Sequence, residues 1–284
     1  MKRFLFFLIL ALPLASAAQE PAAGSMALAP ARFELEMKPG SETTVVVNLD
    51  YRAGGDVSKP ARIVASLNDW TMTKDGRVEY FPANTKPGSA SSWMIYSPGE
   101  AAVMPGTIHQ IRVTIAVPLN ATPGDHLAAL IIEQRPENLK VEQNVRQMIL
   151  RYRMASVFYI KVGPLTKKGD LEDLLAETTD AGVVVTPLLK NEGNSVIRPT
   201  ASAVILDSDG KQVADLPESE TLPVLAGAEE AQRVLIEKAL PTGKYTVKFH
   251  VDFQDGRPAV EGVTDLVVKT APQTASNGIP IKKP

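Results

Sequence analysis

The 284-residue chain contains no cysteine. That excludes disulfide staples, thiol chemistry and lipid attachment through an N-terminal cysteine, so stability must come from packing. Histidine is scarce as well: His109, His126 and His250 stand far apart, and none has a second ligand at metal spacing. They are expected at the surface or at a sheet rim. Excess charge of either sign is missing, since the formal net charge is −2. Nothing in that balance favours nucleic acid or an anionic membrane surface. Catalytic signatures are missing too. There is no Gly-x-Ser-x-Gly, no Ser-x-x-Lys with its partner motifs, and no glycine-rich phosphate cradle before a helix. The expectation is a non-enzymatic protein with no cofactor and no metal. Asp207-Ser208-Asp209-Gly210 opens like a calcium loop, but the ligand positions after it fail and Gln212 is a poor ligand. A hairpin turn explains Asp209-Gly210 better. Asn120-Ala121-Thr122 matches a glycosylation sequon by pattern alone.

One apolar run stands out, at the start. Lys2 and Arg3 precede Phe4 to Leu14, which is interrupted only by Pro13, and Ala15-Ser16-Ala17 follows. A basic region, a short apolar core and small residues make up a secretory signal peptide, expected over residues 1–18. The run is too short to span a bilayer, which takes about 20 residues. Removing Lys2 and Arg3 takes the net charge from −2 to −4. The expected location is periplasmic, with no second membrane anchor.

What the rest of the chain has is alternation. Ile111, Val113, Ile115 and Val117 share one face, with Gln110, Arg112 and Thr114 on the other. That period of two marks a half-buried strand. Thr43 to Leu49 and Ala61 to Leu67 alternate in the same way, while Leu127 to Ile132 is almost continuously apolar, as in a central strand buried on both faces. Pro39-Gly40, Asp75-Gly76, Pro87-Gly88, Pro105-Gly106 and Pro123-Gly124 separate the runs. Proline presets φ and glycine accepts positive φ, so these pairs end strands for steric reasons. Val162-Gly163-Pro164 closes the first block, and Leu165 to Gly169 makes a short linker. In the second block the strands are Gly182 to Leu189, Thr200 to Leu206, Ala231 to Ile236 and Tyr245 to Phe253. Leu171, Leu174 and Leu175 also fit helix spacing. Asp170 to Ala176 is nevertheless read as a strand, because it opens a β block. Many short strands separated by turns, with no convincing amphipathic helix, predict an all-β chain of two immunoglobulin-like β-sandwich domains. They are expected over residues 27–164 and 170–270, with a disordered tail at 271–284.

Met148 to Val162 runs without proline or glycine, well beyond the usual strand of about five or six residues. Met148, Leu150, Tyr152, Met154, Ser156, Phe158, Ile160 and Val162 share one face, and Arg151 and Arg153 lie on the other. Such a strand outruns one sandwich core. The expectation is that Met148, Leu150, Tyr152 and Met154 form an exposed half, while Phe158, Ile160 and Val162 are core. An uncovered apolar strand is an aggregation hazard unless a partner pairs with it. Pairing of that kind, strand addition, is also a recognition mode.

The first block resembles the periplasmic pilus chaperone family, in its PapD-like form. The likeness lies in Pro30-Ala31-Arg32-Phe33-Glu34-Leu35, the Thr43–Leu49 strand, Asn68-Asp69-Trp70, Ser92-Trp93-Met94-Ile95-Tyr96-Ser97-Pro98, Met104-Pro105-Gly106, the Ile111–Val117 strand and the final long strand. The second block, with Asn191-Glu192-Gly193-Asn194 and Leu240-Pro241-Thr242-Gly243-Lys244-Tyr245, is similar to a bacterial immunoglobulin-like module. The resemblance implies a chaperone that lends its long strand to a pilus or surface-fibre subunit and holds that subunit's C-terminal carboxylate with a basic pair in the interdomain cleft. One base falls near Arg32. The other falls at Ser156, which departs from the pattern, leaving Arg151 or Arg153 to replace it or no carboxylate anchor at all. The expected partner-binding residues are Arg32, Met148, Leu150, Arg151, Tyr152, Arg153 and Met154. The alternative function is a structural or adhesive cell-surface module in which the sandwiches act as spacers.

Overall fold

Alternating side chains become strands because one face of each run can be buried while the backbone pairs sideways. The computed structural model describes residues 25–53, 57–135 and 151–269. The expected signal peptide, the expected tail, Met148 and Leu150 lie outside the described residues. In the first half run β1 (Ser25–Ala29), β2 (Arg32–Met37), β3 (Glu42–Arg52), β4 (Ala61–Met72), β5 (Val78–Pro82), β6 (Met94–Ser97), β7 (Glu100–Val103), β8 (Ile108–Ala116), β9 (Gly124–Arg135) and β10 (Arg153–Val162). The second half holds β11 (Gly169–Thr179), β12 (Gly182–Asn191), β13 (Thr200–Leu206), β14 (Gln212–Glu220), β15 (Glu229–Ala231), β16 (Val234–Ile236), β17 (Gly243–Asp252) and β18 (Val260–Val268). Among the described residues there is no α-helix, only a 3-10 turn at Ser91–Trp93.

The strands make two sandwiches. In the first, a sheet in the order β1-β3-β8-β6 faces one in the order β2-β10-β9-β4-β5, with β7 beside the start of β4. Val47, Leu49, Ile111, Val113, Ile115, Leu130, Ile132, Phe158, Ile160 and Val162 fill the space between them. Full burial of each such side chain stabilises by about 1.5–3 kcal/mol. In the second sandwich, β11-β12 with β15 and β16 faces β14-β13-β17-β18. Its core includes Val185, Leu189, Ile205, Val247 and Phe249.

The expected strands are present, with local differences. Asp170–Ala176 lies in a strand, within β11. Ala231–Ile236 is interrupted, because Gln232 turns aside to pair its amide with the Leu222 backbone, accepting at 2.9 Å and donating at 2.9 Å. Asp207–Gly210 is a hairpin turn. The Asp207 carboxylate accepts from the Asp209 and Lys211 N–H groups (3.0 and 2.9 Å), and Gly210 supplies the positive φ of 78°. His126 corrects the surface expectation. It is buried, its ring lies 4.3 Å from that of Trp93, and its Nε2 pairs with the Thr122 carbonyl at 2.9 Å.

Candidate partner-binding edge and junction cleft

Proline at position 30 has no N–H to give to a ladder, and here the chain changes sheets. β1 pairs with β3 in one sheet, and two residues later β2 pairs in parallel with β10 in the other. The β2 ladder begins at Arg32 opposite Val157 and ends at Met37 opposite Val162. β9 covers the other edge of β10 throughout, from Arg153 opposite Glu133 to Val162 opposite Gly124. Upstream of Val157, no described strand therefore pairs with β10 on its far side.

Backbone direction shows which groups are left open. The Tyr152 carbonyl accepts from Gln134 N–H on the β9 side (2.9 Å), and the Val157 N–H donates to the Ala31 carbonyl on the β2 side (2.9 Å). Successive residues of a strand alternate sides. Arg153 and Ala155 thus point their N–H and C=O groups at the open side, while Met154 and Ser156 point theirs at β9.

The side chains differ from expectation on one face. Tyr152 and Met154 are not an exposed apolar half; they are half-buried and pack against the first core. The reason is that the core reaches this end of the sandwich, where Met26 and Tyr51 of the facing sheet are buried and Gln134 Nε2 donates to Tyr51 Oη at 3.3 Å. The described strand starts at Arg153, so Arg151 and Tyr152 precede it, and Arg151 is exposed. Phe158, Ile160 and Val162 are fully buried, as expected, and Phe33 stacks on Phe158 at 4.8 Å. Ser156 faces the core. It is fully buried and donates to the Pro30 carbonyl at 2.8 Å, which ties the sheet crossing to β10. A lysine or arginine there would bury its charge, so a cation for the cleft has to come from the opposite face.

That opposite face is the floor of the junction between the sandwiches. Trp70, Ala129 and Tyr159 pack against Val196 and Leu225 of the second half, with Trp70 edge-on to Tyr159 at 5.2 Å. This explains why Leu127–Ile132 is apolar on both faces: one side meets the first core and the other meets the second sandwich. Next to this patch, Glu34 accepts from Lys161 at 2.7 Å and from Arg198 at 2.8 Å, and Arg32 Nε lies 3.2 Å from it. Burial alone would raise the Glu34 carboxyl. The Lys161 hydrogen bond and the Arg198 charge outweigh that and hold it below its ordinary value. Arg198 also lies over the Tyr159 ring at 5.6 Å. Three cations thus surround the one Glu34 carboxylate, while Glu36 and Asp125 stand opposite Lys161 in the flanking ladders. Arg32 is the open member, with its side chain 52% exposed against 12% for Lys161 and 20% for Arg198. Arg153 shares its face, about 13 Å further along the strand by register. Lys161 and Arg198 were missed from the sequence, Arg198 because it comes from a loop of the other sandwich.

The junction is strapped as well as packed. Asn194 accepts the Thr166 N–H on its side-chain oxygen (2.6 Å), donates its amide to the Pro164 carbonyl (3.1 Å), and accepts the Asp125 N–H on its own carbonyl (2.8 Å). Asp125 in return accepts the Val196 N–H at 2.7 Å. Asn191-Glu192-Gly193-Asn194, legible as a turn, is thus also the fastening between the two halves.

Taken together, the fold and site define a two-sandwich β protein in which, among the described strands, one edge of β10 upstream of Val157 is unpaired beside the junction cleft. No family model and no curated protein matches the chain. Solved structures similar to it include fimbrial chaperones. One is a chain of a chaperone–tip adhesin complex of CFA/I fimbriae biogenesis, with 9% identity, 84% of this chain and 98% of that chain covered, and a TM-score of 0.45. Another comes from the CsuC–CsuE pre-assembly complex of Acinetobacter baumannii Csu pili, with 15% identity, 85% and 98% covered, and a TM-score of 0.40. A third is the Pseudomonas aeruginosa CupB2 chaperone, with 14% identity, 84% and 97% covered, and a TM-score of 0.39.

Proposed function

We propose that the protein is an exported, non-enzymatic chaperone that captures an extended segment of a pilus or surface-fibre subunit by strand addition along β10. The observation that carries this reading is the open edge at Arg153–Ala155, two residues long in its outward-facing groups and continuous with the β2 ladder. Main-chain pairing at such an edge supplies affinity, and alternate side chains supply specificity. The resemblance of the first block to periplasmic pilus chaperones supports this class of partner and a periplasmic location. No helix among the described residues is long and apolar enough to cross a membrane. In this reading the partner's carboxylate is received by Arg32, with Arg153 or Arg151 completing the pair. A guanidinium binds a carboxylate through charge-assisted, bidentate hydrogen bonds.

Ala155→Pro tests the edge, because proline removes the N–H that faces the partner and leaves the β9 ladder intact. Wild type and variant are compared for capture of subunits from periplasmic extract, beside thermal melts of both. The expected result is loss of the captured subunits with little change in melting temperature. A folded variant that captures the same subunits equally well rules the edge out.

A further inference from the structure

A second contact between the sandwiches lies away from the cleft, at the hairpin joining β4 to β5. Its tip, Thr73–Arg77, reaches the second sandwich. The Ala231 N–H donates to the Lys74 carbonyl at 2.6 Å, so the tip pairs with the outer edge of β15. Lys74 Nζ donates to Glu229 at 2.8 Å. Gly76 sits so close to Leu222 that a Cβ there would lie 2.4 Å from Leu222 Cδ1. Beneath this tip is Glu230, opposite Leu189 in the β12–β15 ladder and fully buried. Neither of its carboxylate oxygens has a hydrogen-bond partner. The Gly76 N–H beside it is committed to the Thr73 carbonyl at 2.8 Å.

We propose that this hairpin is a pH-sensitive latch between the two sandwiches, closed over neutral Glu230 and loosened when that carboxyl ionises. A buried carboxylate without partners is costly to ionise, and lifting the tip would open a way for water to it. Burial and the Asp75 charge favour the neutral form, and the Gly76 N–H opposes them by favouring the ionised one. From the hairpin, Asp75 brings a like charge, itself held by Arg77 at 2.7 Å and by the Thr73 hydroxyl. Lys74 is engaged by Glu229. From β12, Lys190 is engaged by Glu172 at 2.5 Å. Beyond β15, Arg233 is engaged by Glu177 at 2.7 Å, and Glu220 lines the neighbouring cavity together with Asp75. Burial, then the Asp75 charge, pushes the Glu230 carboxyl up to about 7 from an ordinary 4.5.

The sign follows from that direction. The folded form holds its proton to higher pH than the unfolded chain does, so the latch is strongest in mild acid and weakens as pH rises through about 7. The consequence is an interdomain junction whose stiffness depends on pH near neutrality.

The chain has no cysteine, so paired labels at Glu79→Cys and Lys211→Cys report the distance between the sandwiches by energy transfer. In the otherwise wild-type chain, that distance should be narrowly distributed at about pH 5.5 and broaden by pH 8.5, with a midpoint near the value that burial imposes. Glu230→Gln should keep the narrow distribution across the range. Asp75→Asn removes the like charge without touching the core, and should move the midpoint to lower pH. No pH response in the wild type, or the same response in Glu230→Gln, overturns the proposal. If Glu230→Gln does not fold, Asp75→Asn decides, and an unmoved midpoint overturns it.

Discussion

At the scale of single residues, the junction rests on a few groups whose neighbours dictate their behaviour. Glu34 is the clearest. Its carboxyl is held low, so the stability it contributes is complete above the ordinary value of 4.5 and lost as pH falls through the lowered one. Glu34→Gln removes the charge and replaces one of the two oxygens that accept from Lys161 and Arg198 with an NH2 donor. It should cost about 1–2 kcal/mol near neutral pH, within the range for a partly buried charged hydrogen bond. Denaturant melts should show that difference shrinking as the solution is acidified, while a constant difference would remove Glu34's charge from the account. Gly193 is held by space rather than charge. A Cβ there would meet the Thr166 carbonyl oxygen at 2.2 Å and the Lys168 nitrogen at 3.0 Å, both backbone atoms of the strapped linker. Gly193→Ala should therefore destabilise by about 1–3 kcal/mol, as overpacking does. Unchanged denaturant midpoints would show that the strap yields freely. Neither role was legible locally, because the partners of both residues lie far away in the sequence.

At the scale of the element, β10 divides into two parts. Among the described strands, it is paired on both edges from Val157 onward and on one before that. Amide hydrogen exchange should record the division residue by residue. Met154, Ser156 and Val157 should exchange slowly, and Arg153 and Ala155 quickly, in the free protein. Equal protection at all five amides would mean that the edge is covered. The face pattern predicts a second contrast. Phe158→Ala empties a fully buried site against Phe33 and should cost about 3–5 kcal/mol. The length of the apolar run and its alternation were readable from sequence. Its exposure was not, because whether Tyr152 and Met154 are covered depends on where Tyr51 and Met26 end up in the facing sheet.

At the scale of the whole molecule, the two sandwiches share a third apolar cluster and should unfold together. Leu225 is 4% exposed at its centre, against Trp70 and Tyr159. Leu225→Asp buries an unpaired charge in that contact. Calorimetry should then show one transition in the wild type and two in the variant, and a single transition in both would show that the strap and the hairpin suffice to couple the halves.

By itself, the sequence determined the class of fold. Alternation dictates strands, proline–glycine pairs dictate turns, and the core residues of the long strand follow from parity, all of which are local properties. It also led to the expectation that Arg32 and the long strand bind a partner. Only the tertiary structure decided which edge of that strand the other described strands leave unpaired, and that Arg198 and Lys161 meet at Glu34. It also decided that a buried Glu230 lies under a hairpin more than a hundred residues earlier in the chain. These depend on where the chain crosses between sheets at Pro30 and on how one sandwich seats on the other. Both are long-range arrangements, and no short window of sequence encodes them.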